Sequence, residues 1–484
     1  MFYKLKYHTI FRKFDNIGYL IYQQIPLDID RVVDEIGAIF LSNLNYSPVS
    51  VKNISEKIIN LFSGTTVQEI ECDLQTFFDT LVMEGFLHSG KTYDECLKQK
   101  DDFDYSKSQI EALKSLPGNK SDNRYGTQEY LENFFAQNPQ MQKCQIEITS
   151  RCNERCIHCY IPHQTKIHSM DESIFYRTLD ELDKLGIVSL GISGGEPMLH
   201  PKFKDFIIAA KKLNVNINLL TNLTLLTDEY IDLFKDSRIT VIPSLYSLNE
   251  THHDYITKLP GSCKKTIDGI LKLRENKIPV QKNCPLMKVN KKDYLELIKW
   301  ARELNITVKT DNCIIARSDR STDNLENRID LEDIPVIMDE LLEENEIFKK
   351  VISADDYEEQ CKKLFKDEQG KWCGVGITCC AVDSECNVSP CPSWSDYNCG
   401  NLKDNSLIDI WENAEKFKYI RSLSKKDFVK CNTCQDKAFC AVCMAKNANE
   451  SPTKSPLDVS PYCCELAHIN RLCVERWREK NVKN

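Results

Sequence analysis

The central part of the chain alternates short apolar runs with amphipathic stretches. The apolar runs are rich in β-branched residues and predict strands at residues 145–149, 187–193, 215–221, 239–246, 280–287 and 307–315. The stretches between them carry apolar residues at helical spacing and predict helices at residues 171–185, 202–213, 228–235, 262–276 and 291–304. Strands that alternate with helices in this way predict an α/β fold, in which a parallel sheet has helices outside it.

The N-terminal region follows another pattern. Residues 2–12 and 17–24 mix aromatic, β-branched and basic residues in rough alternation, which predicts two strands joined by a turn at Asp15 and Asn16. Three helices follow, and their predicted starts are Asp30, Ser50 and Thr66. The third helix is predicted to end near Gly85. Two strands and three helices predict a small winged-helix-like domain.

The chain has 484 residues, which is too long for one compact core. Its composition changes along the sequence and predicts five segments. These are an N-terminal domain at 1–95, a turn-rich linker at 96–138, the strand–helix domain at 139–330, a helical connector at 331–370 and a cysteine-rich domain at 371–484.

Bulk properties argue against several functions. The net charge is −9, so nothing global favours binding of nucleic acid. The first residues lack the apolar region of a signal peptide, and no run of about 18 apolar residues predicts a membrane span. We therefore predict a cytoplasmic protein with neither nucleic acid nor membrane as a partner.

The 23 cysteines are unevenly distributed. Thirteen lie between Cys373 and Cys473, three lie in one loop at 152–159, and seven are scattered. In a reducing cytoplasm, clustered cysteines are more often metal ligands than disulfide partners, so both clusters predict metal centres. The scattered cysteines are interpreted as small hydrophobic residues. They are Cys72, Cys96, Cys144, Cys263, Cys284, Cys313 and Cys361.

The loop cysteines, Cys152, Cys156 and Cys159, have the spacing C-x3-C-x2-C and directly follow the first strand predicted for the central domain. Cysteine is the usual ligand of iron–sulfur clusters, and three ligands on a four-iron cluster leave one iron open for chemistry. Two alternatives are a zinc knuckle that recruits His158 and three unrelated buried thiols.

A second motif ends the next predicted strand, and it consists of Gly194, Gly195, Glu196 and Pro197. Glycines allow a backbone to approach a ligand closely. Together with the cysteine loop, and with the aromatic Tyr160 behind the third cysteine, this motif resembles the radical SAM family. The resemblance implies a partial (β/α)6 TIM-like barrel whose site lies at the C-terminal ends of the strands.

The same resemblance implies a cofactor and its contacts. The open iron would chelate the amino and carboxylate groups of S-adenosylmethionine, and reductive cleavage would yield a 5′-deoxyadenosyl radical that removes hydrogen from a C–H bond. The Gly-Gly-Glu-Pro motif would contact the methionyl amino group. Further contacts to the cofactor are predicted for Tyr160, Asn222, Ser244 and Arg317.

The C-terminal cysteines resemble the SPASM extension found in part of that family. The resemblance implies two auxiliary 4Fe–4S clusters, and therefore three clusters in all. The predicted ligands of the first are Cys373, Cys379, Cys391 and Cys443. Those of the second are Cys431, Cys434, Cys440 and one of Cys463 and Cys464, of which we choose Cys464.

The chain departs from the SPASM pattern in several places. Cys386 stands where the family usually has glycine, and the last spacing of the second ligand set is two residues where three are common. Cys380, Cys399 and Cys473 are surplus. A zinc ribbon formed by the cysteine pairs between Cys431 and Cys443 is the alternative. The ligand sets therefore stay open at these positions.

The three parts together resemble enzymes that modify ribosomally made peptides. We predict that residues 1–95 bind the leader of a precursor peptide by strand addition beside the third helix. A structural cap and a DNA-binding winged helix are the alternatives for this domain, and acidic residues on the third helix disfavour DNA.

The favoured product is a thioether from a cysteine sulfur to carbon, and the resemblance implies an external electron donor such as flavodoxin or ferredoxin. The alternatives are carbon–carbon cross-links, maturation of a folded protein such as an anaerobic sulfatase, and a leader-binding scaffold with structural clusters.

Overall fold

The computed structural model describes residues 1–24, 27–100, 103–114, 130–311, 313–366, 368–394 and 396–482. Its strands are β1 Phe2–Leu5, β2 Thr9–Phe14, β3 Ile17–Gln24, β4 Leu27–Val33, β5 Val49–Ser50, β6 Leu87–Gly90, β7 Lys143–Thr149, β8 Ser189–Gly194, β9 Asn216–Thr221, β10 Ile239–Pro243, β11 Gln281–Pro285, β12 Thr307–Asp311, β13 Cys379–Val382, β14 Asn387–Ser389 and β15 Gly400–Asn401.

The helices follow the same order along the chain. The first ten are α1 Glu35–Leu41, α2 Val51–Ile58, α3 Val67–Glu84, α4 Tyr93–Lys98, α5 Lys107–Lys114, α6 at 130–137, α7 Glu172–Leu185, α8 Phe203–Ala210, α9 Asp228–Phe234 and α10 Glu250–Thr257. The others are α11 Ser262–Glu275, α12 Tyr294–Glu303, α13 Ile334–Glu344, α14 Glu346–Ile352, α15 Tyr357–Lys366, α16 Leu407–Asn413, α17 Glu415–Ser422, α18 Val429–Asn432, α19 Met444–Glu450 and α20 Pro461–Asn481.

Two of the three predicted N-terminal helices begin where the sequence places them. The Ser50 hydroxyl accepts a hydrogen bond from an amide in the first turn of α2. Thr66 and Glu69 form a capping box at the start of α3, and Gly85 ends that helix in the left-handed region with φ +99°. These local signals are sufficient because capping involves only neighbouring residues.

The predicted first strand and first helix are both wrong. The chain turns between β1 and β2, which enter different sheets with the orders β5-β1-β6 and β2-β3-β4. Asp30 caps no helix, because it lies in β4 opposite Ile21 of β3. Ile29 and Val33 are buried on one face of this strand, and α1 begins only after Asp34. The winged-helix comparison stays a prediction.

The central domain is a series of parallel strands in chain order. β7, β8, β9 and β10 pair in sequence, and β11 pairs with β12. Two isolated parallel bridges, Val241 with Val280 and Ser244 with Asn283, join the two groups. All six predicted strands are present, and the five predicted helices correspond to α7, α8, α9, α11 and α12. The sequence did not predict α10.

The cysteine-rich domain extends the same sheet. β13 pairs in parallel with β7, placing Cys379 opposite Lys143, and β14 and β15 add antiparallel strands. This addition was not predicted, because it joins segments more than 200 residues apart, and no local pattern records such a pairing. The C-terminal domain is therefore built onto the strand that leads into the cysteine loop.

The N-terminal domain is anchored to the opposite end of the strands. Arg12 donates hydrogen bonds to the carbonyls of Gly186 and Asn214, and the Tyr46 hydroxyl donates to the Asn214 side chain at 2.5 Å. The guanidinium of Arg238 lies 4.7 Å from the centre of the Tyr46 ring. These contacts precede β8, β9 and β10, so the domain lies at the N-terminal ends of the barrel strands.

The predicted linker is packed against the barrel over part of its length. Tyr105 is buried, and its hydroxyl donates to the carbonyl of Ile278 and accepts from the amide of Val280, both at 2.8 Å. The short helix predicted near 127–136 is present at 130–137, although residues 115–129 lie outside the described residues. No helix that the structure describes is long and apolar enough to cross a membrane.

Candidate functional site

The cysteine loop leaves the C-terminal end of β7 and is tied to its neighbours. The Asn153 side chain accepts a hydrogen bond from the Asn222 amide at 2.9 Å, which connects the loop to the end of β9. The main-chain amide of Arg155 donates to the carbonyl of Thr257 at 2.9 Å, at the end of α10. The loop is therefore held from two sides by the ends of barrel elements.

Cys152, Cys156 and Cys159 come together in this loop. Burial raises the pKa of the Cys152 thiol to about 11 and that of Cys156 well above its usual range, and the other two loop cysteines add to the effect on Cys156. Thiols in such surroundings do not ionise unaided, and a bound metal centre would stabilise their thiolates. The donor set therefore fits the predicted three-cysteine cluster.

His158 packs instead as a neutral aromatic residue. Its ring meets the Tyr246 ring edge-to-face at 4.8 Å, and burial lowers its pKa to about 3. In the part of the chain that the structure describes, no three His, Cys, Asp or Glu side chains converge tightly enough for a single metal ion. The structure thus lends no support to either zinc alternative, whereas a four-iron cluster is larger and its ligands lie farther apart.

Gly194 and Gly195 pack directly on the main chain of the cysteine loop. A β-carbon on Gly194 would lie 2.0 Å from the carbonyl oxygen of Thr149, and one on Gly195 would lie 2.4 Å from that of Arg151. Gly194 has φ +144°, a conformation that other residues avoid. The Gly195 amide donates to the Thr149 carbonyl at 2.7 Å. The two motifs, predicted on separate strands, form one main-chain unit.

Glu196 braces the strands next to this unit. Its buried carboxylate accepts hydrogen bonds from the Thr221 hydroxyl at 2.8 Å, the Asn222 amide at 2.7 Å and the Met198 amide at 3.1 Å. Burial nevertheless raises its pKa to about 7, because desolvation outweighs these bonds. Pro197 then opens a short 3-10 turn. The main chain of the motif is the part that this arrangement leaves for a cofactor.

Asn222 and Ser244 lie at neighbouring strand ends, as predicted. The Asn222 side chain bonds Asn153, and the Ser244 amide donates to the carbonyl of Thr221 at 3.0 Å. The Ser244 hydroxyl is a hydrogen-bond partner of the Tyr246 phenol. Both residues therefore border the cysteine loop, and their contacts with a cofactor stay predictions.

Tyr160 joins the cysteine loop to the barrel interior. Its hydroxyl donates to the buried carboxylate of Glu147 at 2.5 Å. Burial raises the pKa of Glu147 to about 7 and that of Tyr160 well above its usual range, and Cys159 and Cys391 contribute to the shift of Tyr160. Tyr160 therefore lies within electrostatic range of cysteines from both the loop and the C-terminal domain.

Arg317 is already committed to protein partners. Its guanidinium pairs with Asp323 through two bonds of 3.0 and 2.9 Å, and it donates to the carbonyl of Cys159 at 2.6 Å. The contact with a cofactor predicted for Arg317 stays a prediction, because in this structure Asp323 occupies the fork of the guanidinium. In the structure, Arg317 holds the backbone of the third loop cysteine.

Two buried ionisable residues beside the loop, Lys166 and Glu154, escaped the sequence analysis. Lys166 is 6% exposed, and its positive charge partly offsets the burial that raises the pKa values of Cys152, Glu154 and Glu147. Burial raises the pKa of Glu154 to about 8, and its Oε1 atom has no hydrogen-bond partner. Single charged residues in a loop follow no periodic pattern, so only tertiary packing reveals them.

The four predicted ligands of the first auxiliary cluster converge from distant parts of the chain. Besides burial, Cys443 raises the pKa of Cys373, and Cys373 and Cys443 raise that of Cys391. Cys379 is likewise influenced by Cys391 and Cys373. Cys443 therefore lies with Cys373, Cys379 and Cys391, and the sharing of one cluster by these four thiols stays a prediction.

The second predicted set gathers near the start of α20, where the structure separates two adjacent cysteines. Cys464 is exposed. It lies close enough to raise the pKa of Cys431, and Cys434 in turn raises the pKa of Cys464. Cys463 is buried and bonds Cys313 and Lys446, although it also lies near Cys440. The structure therefore separates the two candidates, and the choice of Cys464 stays a prediction.

The remaining cysteines have structural surroundings of several kinds. Cys380 and Cys144 face each other across β13 and β7 with their sulfurs 3.7 Å apart, and Cys473 is buried in α20. Cys386 has φ +73°, which explains why glycine is usual at its position in the family. The interpretation as small hydrophobic residues is wrong for two scattered cysteines. Cys72 is exposed, and Cys313 bonds Lys446 at 3.1 Å.

Comparisons with protein families agree with this site. A family model described as the radical SAM superfamily matches residues 146–301, and the SPASM model, an iron-sulfur cluster-binding domain, matches residues 373–436. The chain is therefore a radical SAM enzyme. It is of the type that carries a SPASM domain, so S-adenosylmethionine and iron–sulfur clusters are its cofactors.

Two curated relatives cover similar parts of the chain. An AdoMet-dependent heme synthase of Methanosarcina barkeri is 27% identical over 335 residues, which are 66% of this chain and 94% of that protein. The antilisterial bacteriocin subtilosin biosynthesis protein AlbA of Bacillus subtilis is 24% identical over 312 residues, which are 63% of this chain and 68% of that protein. Their named roles differ, so they share the catalytic framework rather than one substrate.

Two solved structures show the same fold over different lengths. Streptococcus suis SuiB bound to precursor peptide SuiA has a TM-score of 0.62 at 16% identity and covers 95% of this chain and 99% of its own. The structure of anSMEcpe with bound AdoMet has a TM-score of 0.54 at 16% identity and covers 72% of this chain and 95% of its own. The longer match spans almost the whole chain.

Proposed function

We propose that this enzyme is a peptide maturase, which binds the leader of a precursor peptide through residues 1–95 and forms thioether cross-links in the core peptide. The observation that supports this proposal is that one chain combines the cysteine loop with an N-terminal domain that presents an unpaired strand edge. S-adenosylmethionine bound at the cysteine loop supplies a radical that removes hydrogen from carbon. Cys152, Cys156 and Cys159 would hold the cluster, and the main chain of Gly194 and Gly195 would border the cofactor.

The sheet has outer edges at β2 and β4, and the edge proposed for the leader is that of β4. Within the described residues β4 pairs only with β3, since the sheet order is β2-β3-β4. Arg31 of β4 lies 3.8 Å from Glu84 of α3, so the end of α3 borders this edge. Met83, which directly precedes Glu84 in α3, is 62% exposed. A leader strand would gain main-chain hydrogen bonds from β4 and side-chain contacts from α3.

Two further observations support a peptide as the substrate. The match to SuiB, whose structure holds a precursor peptide, extends over nearly the whole chain, and another curated relative is the Bacillus subtilis sporulation killing factor maturation protein SkfB. The anSMEcpe structure matches only 72% of this chain, so about a quarter of the sequence has no counterpart there. A folded-protein maturase would not need that extra part.

The choice of a sulfur-to-carbon link rests on the surplus cysteines. These are Cys380, Cys399 and Cys473, and the second ligand set also departs from the family's spacing. An auxiliary cluster with an open site would bind the thiolate of the peptide cysteine. Three clusters are part of the same proposal, because each auxiliary set contains four cysteines and the loop contains three. A flavodoxin or ferredoxin would supply the reducing electron.

Mass spectrometry of any short cysteine-containing peptide that is encoded beside the gene, after co-expression with the enzyme, tests the proposal. Each thioether should remove two hydrogens and one thiol that iodoacetamide can label. Loss of two hydrogens with all thiols still labelled would instead show a carbon–carbon link. An unmodified peptide would overturn the maturase proposal.

The catalytic part is tested by replacing Cys152, Cys156 and Cys159 together with alanine. Cleavage of S-adenosylmethionine should be lost, while iron bound by the C-terminal cysteines should remain. A rate equal to that of the wild type would favour a scaffold with structural clusters over an enzyme.

The leader site is tested with the Arg31→Glu variant, which places a carboxylate beside Glu84 at the β4 edge. Binding of the fluorescently labelled precursor peptide should weaken, while peptide-free cleavage of S-adenosylmethionine should be unchanged. Lys13→Glu on the exposed side of β2 serves as the control. Equal affinities for the two variants would place the leader elsewhere.

A further inference from the structure

The barrel strands carry an unexpected row of polar positions on their inner face. Alternate residues of β7–β10 pack on the helices, and among them are Ile146, Leu190, Ile217 and Val241. Side chains alternate along a strand, so the residues between these positions point away from the helices, into the barrel. A self-packed barrel fills such positions with bulky branched residues.

One inner row has a different composition. Gln145 pairs with Gly191, Gly191 with Asn218, and Asn218 with Thr240, so the four residues lie side by side across β7–β10. Each is only partly buried, although their strand neighbours are mostly buried. This row therefore lines a chamber that the enzyme's own side chains do not fill.

The two amides in the row have unused hydrogen-bonding groups. Asn218 donates to the Ser189 hydroxyl at 3.0 Å, which leaves its carbonyl oxygen as an acceptor. The side-chain amide of Gln145 forms no hydrogen bond with any other described residue. The side chain packs over Gly191, where a β-carbon would lie 3.2 Å from Gln145 Cγ. The missing side chain at Gly191 provides the space for this arrangement.

The row also has a suitable depth. Gln145 lies four residues before the end of β7, or about 13 Å below the start of the cysteine loop at 3.3 Å per residue. The Glu147 and Tyr160 pair occupies the layer between. A peptide segment that reaches this row would therefore lie beneath a cofactor held under the loop.

We propose that Gln145 and Asn218 form the floor of the peptide chamber and position the main chain of the residue that is modified. An amide side chain offers a donor and an acceptor, which match the carbonyl and N–H of a peptide bond whatever its side chain. This inference rests on the proposed peptide-maturase function. Gln145 and Asn218 would position the peptide rather than take part in the chemistry, because neither lies near the loop cysteines.

The test uses the holoenzyme variants Gln145→Leu, Asn218→Leu and their combination, with Gln360→Leu on the exposed surface of α15 as control. The probe is the precursor peptide encoded beside the gene. We expect KM for this peptide to rise about fivefold to tenfold per variant, the scale of losing a hydrogen bond. The yield of modified peptide per 5′-deoxyadenosine should fall, and peptide-free cofactor cleavage should stay at the wild-type rate.

Unchanged KM and yield in the double variant would overturn the inference. An equal loss of peptide-free cleavage would also overturn it, since the residues would then serve the cofactor or the fold. Failure of the proposed function looks different, because the wild type itself would then leave the peptide unmodified while cleaving S-adenosylmethionine.

Discussion

Gly194 and Thr149 are so close that a β-carbon on Gly194 would lie 2.0 Å from the Thr149 carbonyl oxygen. This contact joins the end of β8 to the start of the cysteine loop. The glycine of the second motif is therefore required by the first motif, in addition to any requirement of the cofactor.

Gly194→Ala should reduce cleavage of S-adenosylmethionine by about 100-fold, because the added carbon must displace the loop main chain and small misplacements at a reacting centre are costly. Gly191→Ala on the same strand is the control, since the nearest atom to its β-carbon would be Gln145 Cγ at 3.2 Å and no main-chain atom would lie closer than 3.4 Å. The test measures the rate at which each variant cleaves S-adenosylmethionine in the absence of peptide. Similar rates would show that the loop tolerates the shift.

Cys464→Ser should lower the iron and sulfide content of the purified enzyme, because Cys464 lies with Cys431 and Cys434. Cys463→Ser should retain the wild-type content, since its thiol is bonded to Cys313 and Lys446. Iron analysis and electron paramagnetic resonance of the reduced proteins compare the adjacent variants. The reverse result would assign the ligand role to Cys463.

Arg12→Ala should loosen the N-terminal domain from the barrel, because the guanidinium donates to three main-chain carbonyls before β8 and β9. The expected loss of stability is about 1–3 kcal/mol. Thermal unfolding and protease sensitivity measure it, with Lys13→Ala on the exposed face of β2 as control. If the two variants have equal Tm values, the docking does not depend on Arg12.

Glu196 should make stability depend on pH in a defined direction. Burial raises its folded pKa from 4.5 to about 7, so the native state holds the proton more tightly than the unfolded chain. Its contribution is fully present below pH 4.5 and is lost as the pH rises to 7, by up to about 3 kcal/mol. As the pH rises across this range, the unfolding free energy of the wild type should fall relative to that of Glu196→Gln, so the two curves should diverge. Parallel curves would contradict the assignment.

Much of the framework was predictable from the sequence. The spacing of the loop cysteines, the helix start at Thr66 and the six strands of the central domain depend on neighbouring residues, and each is present in the structure. Signals of this kind are reliable because the interactions that produce them lie within a few residues of one another.

Local patterns failed where another segment of the chain competes for the same residue. Asp30 is a good helix cap in isolation, yet residues 27–33 pair with β3 because a strand partner was available. Arg317 is a good ligand for a carboxylate, yet Asp323 lies close enough to take its fork. The predicted role of Asp30 is therefore wrong, whereas the contact of Arg317 with a cofactor stays a prediction.

The sequence by itself determined the cysteine loop, the glycine motif and the class of chemistry, because these are short motifs whose meaning lies in their own spacing. Only the tertiary structure decided that Gly194 packs on Thr149, that Cys443 joins Cys373 and Cys391, and that β13 extends the barrel sheet beside β7. Those contacts bridge tens to hundreds of residues, and their energies come from burial and pairing that exist only once the chain has folded.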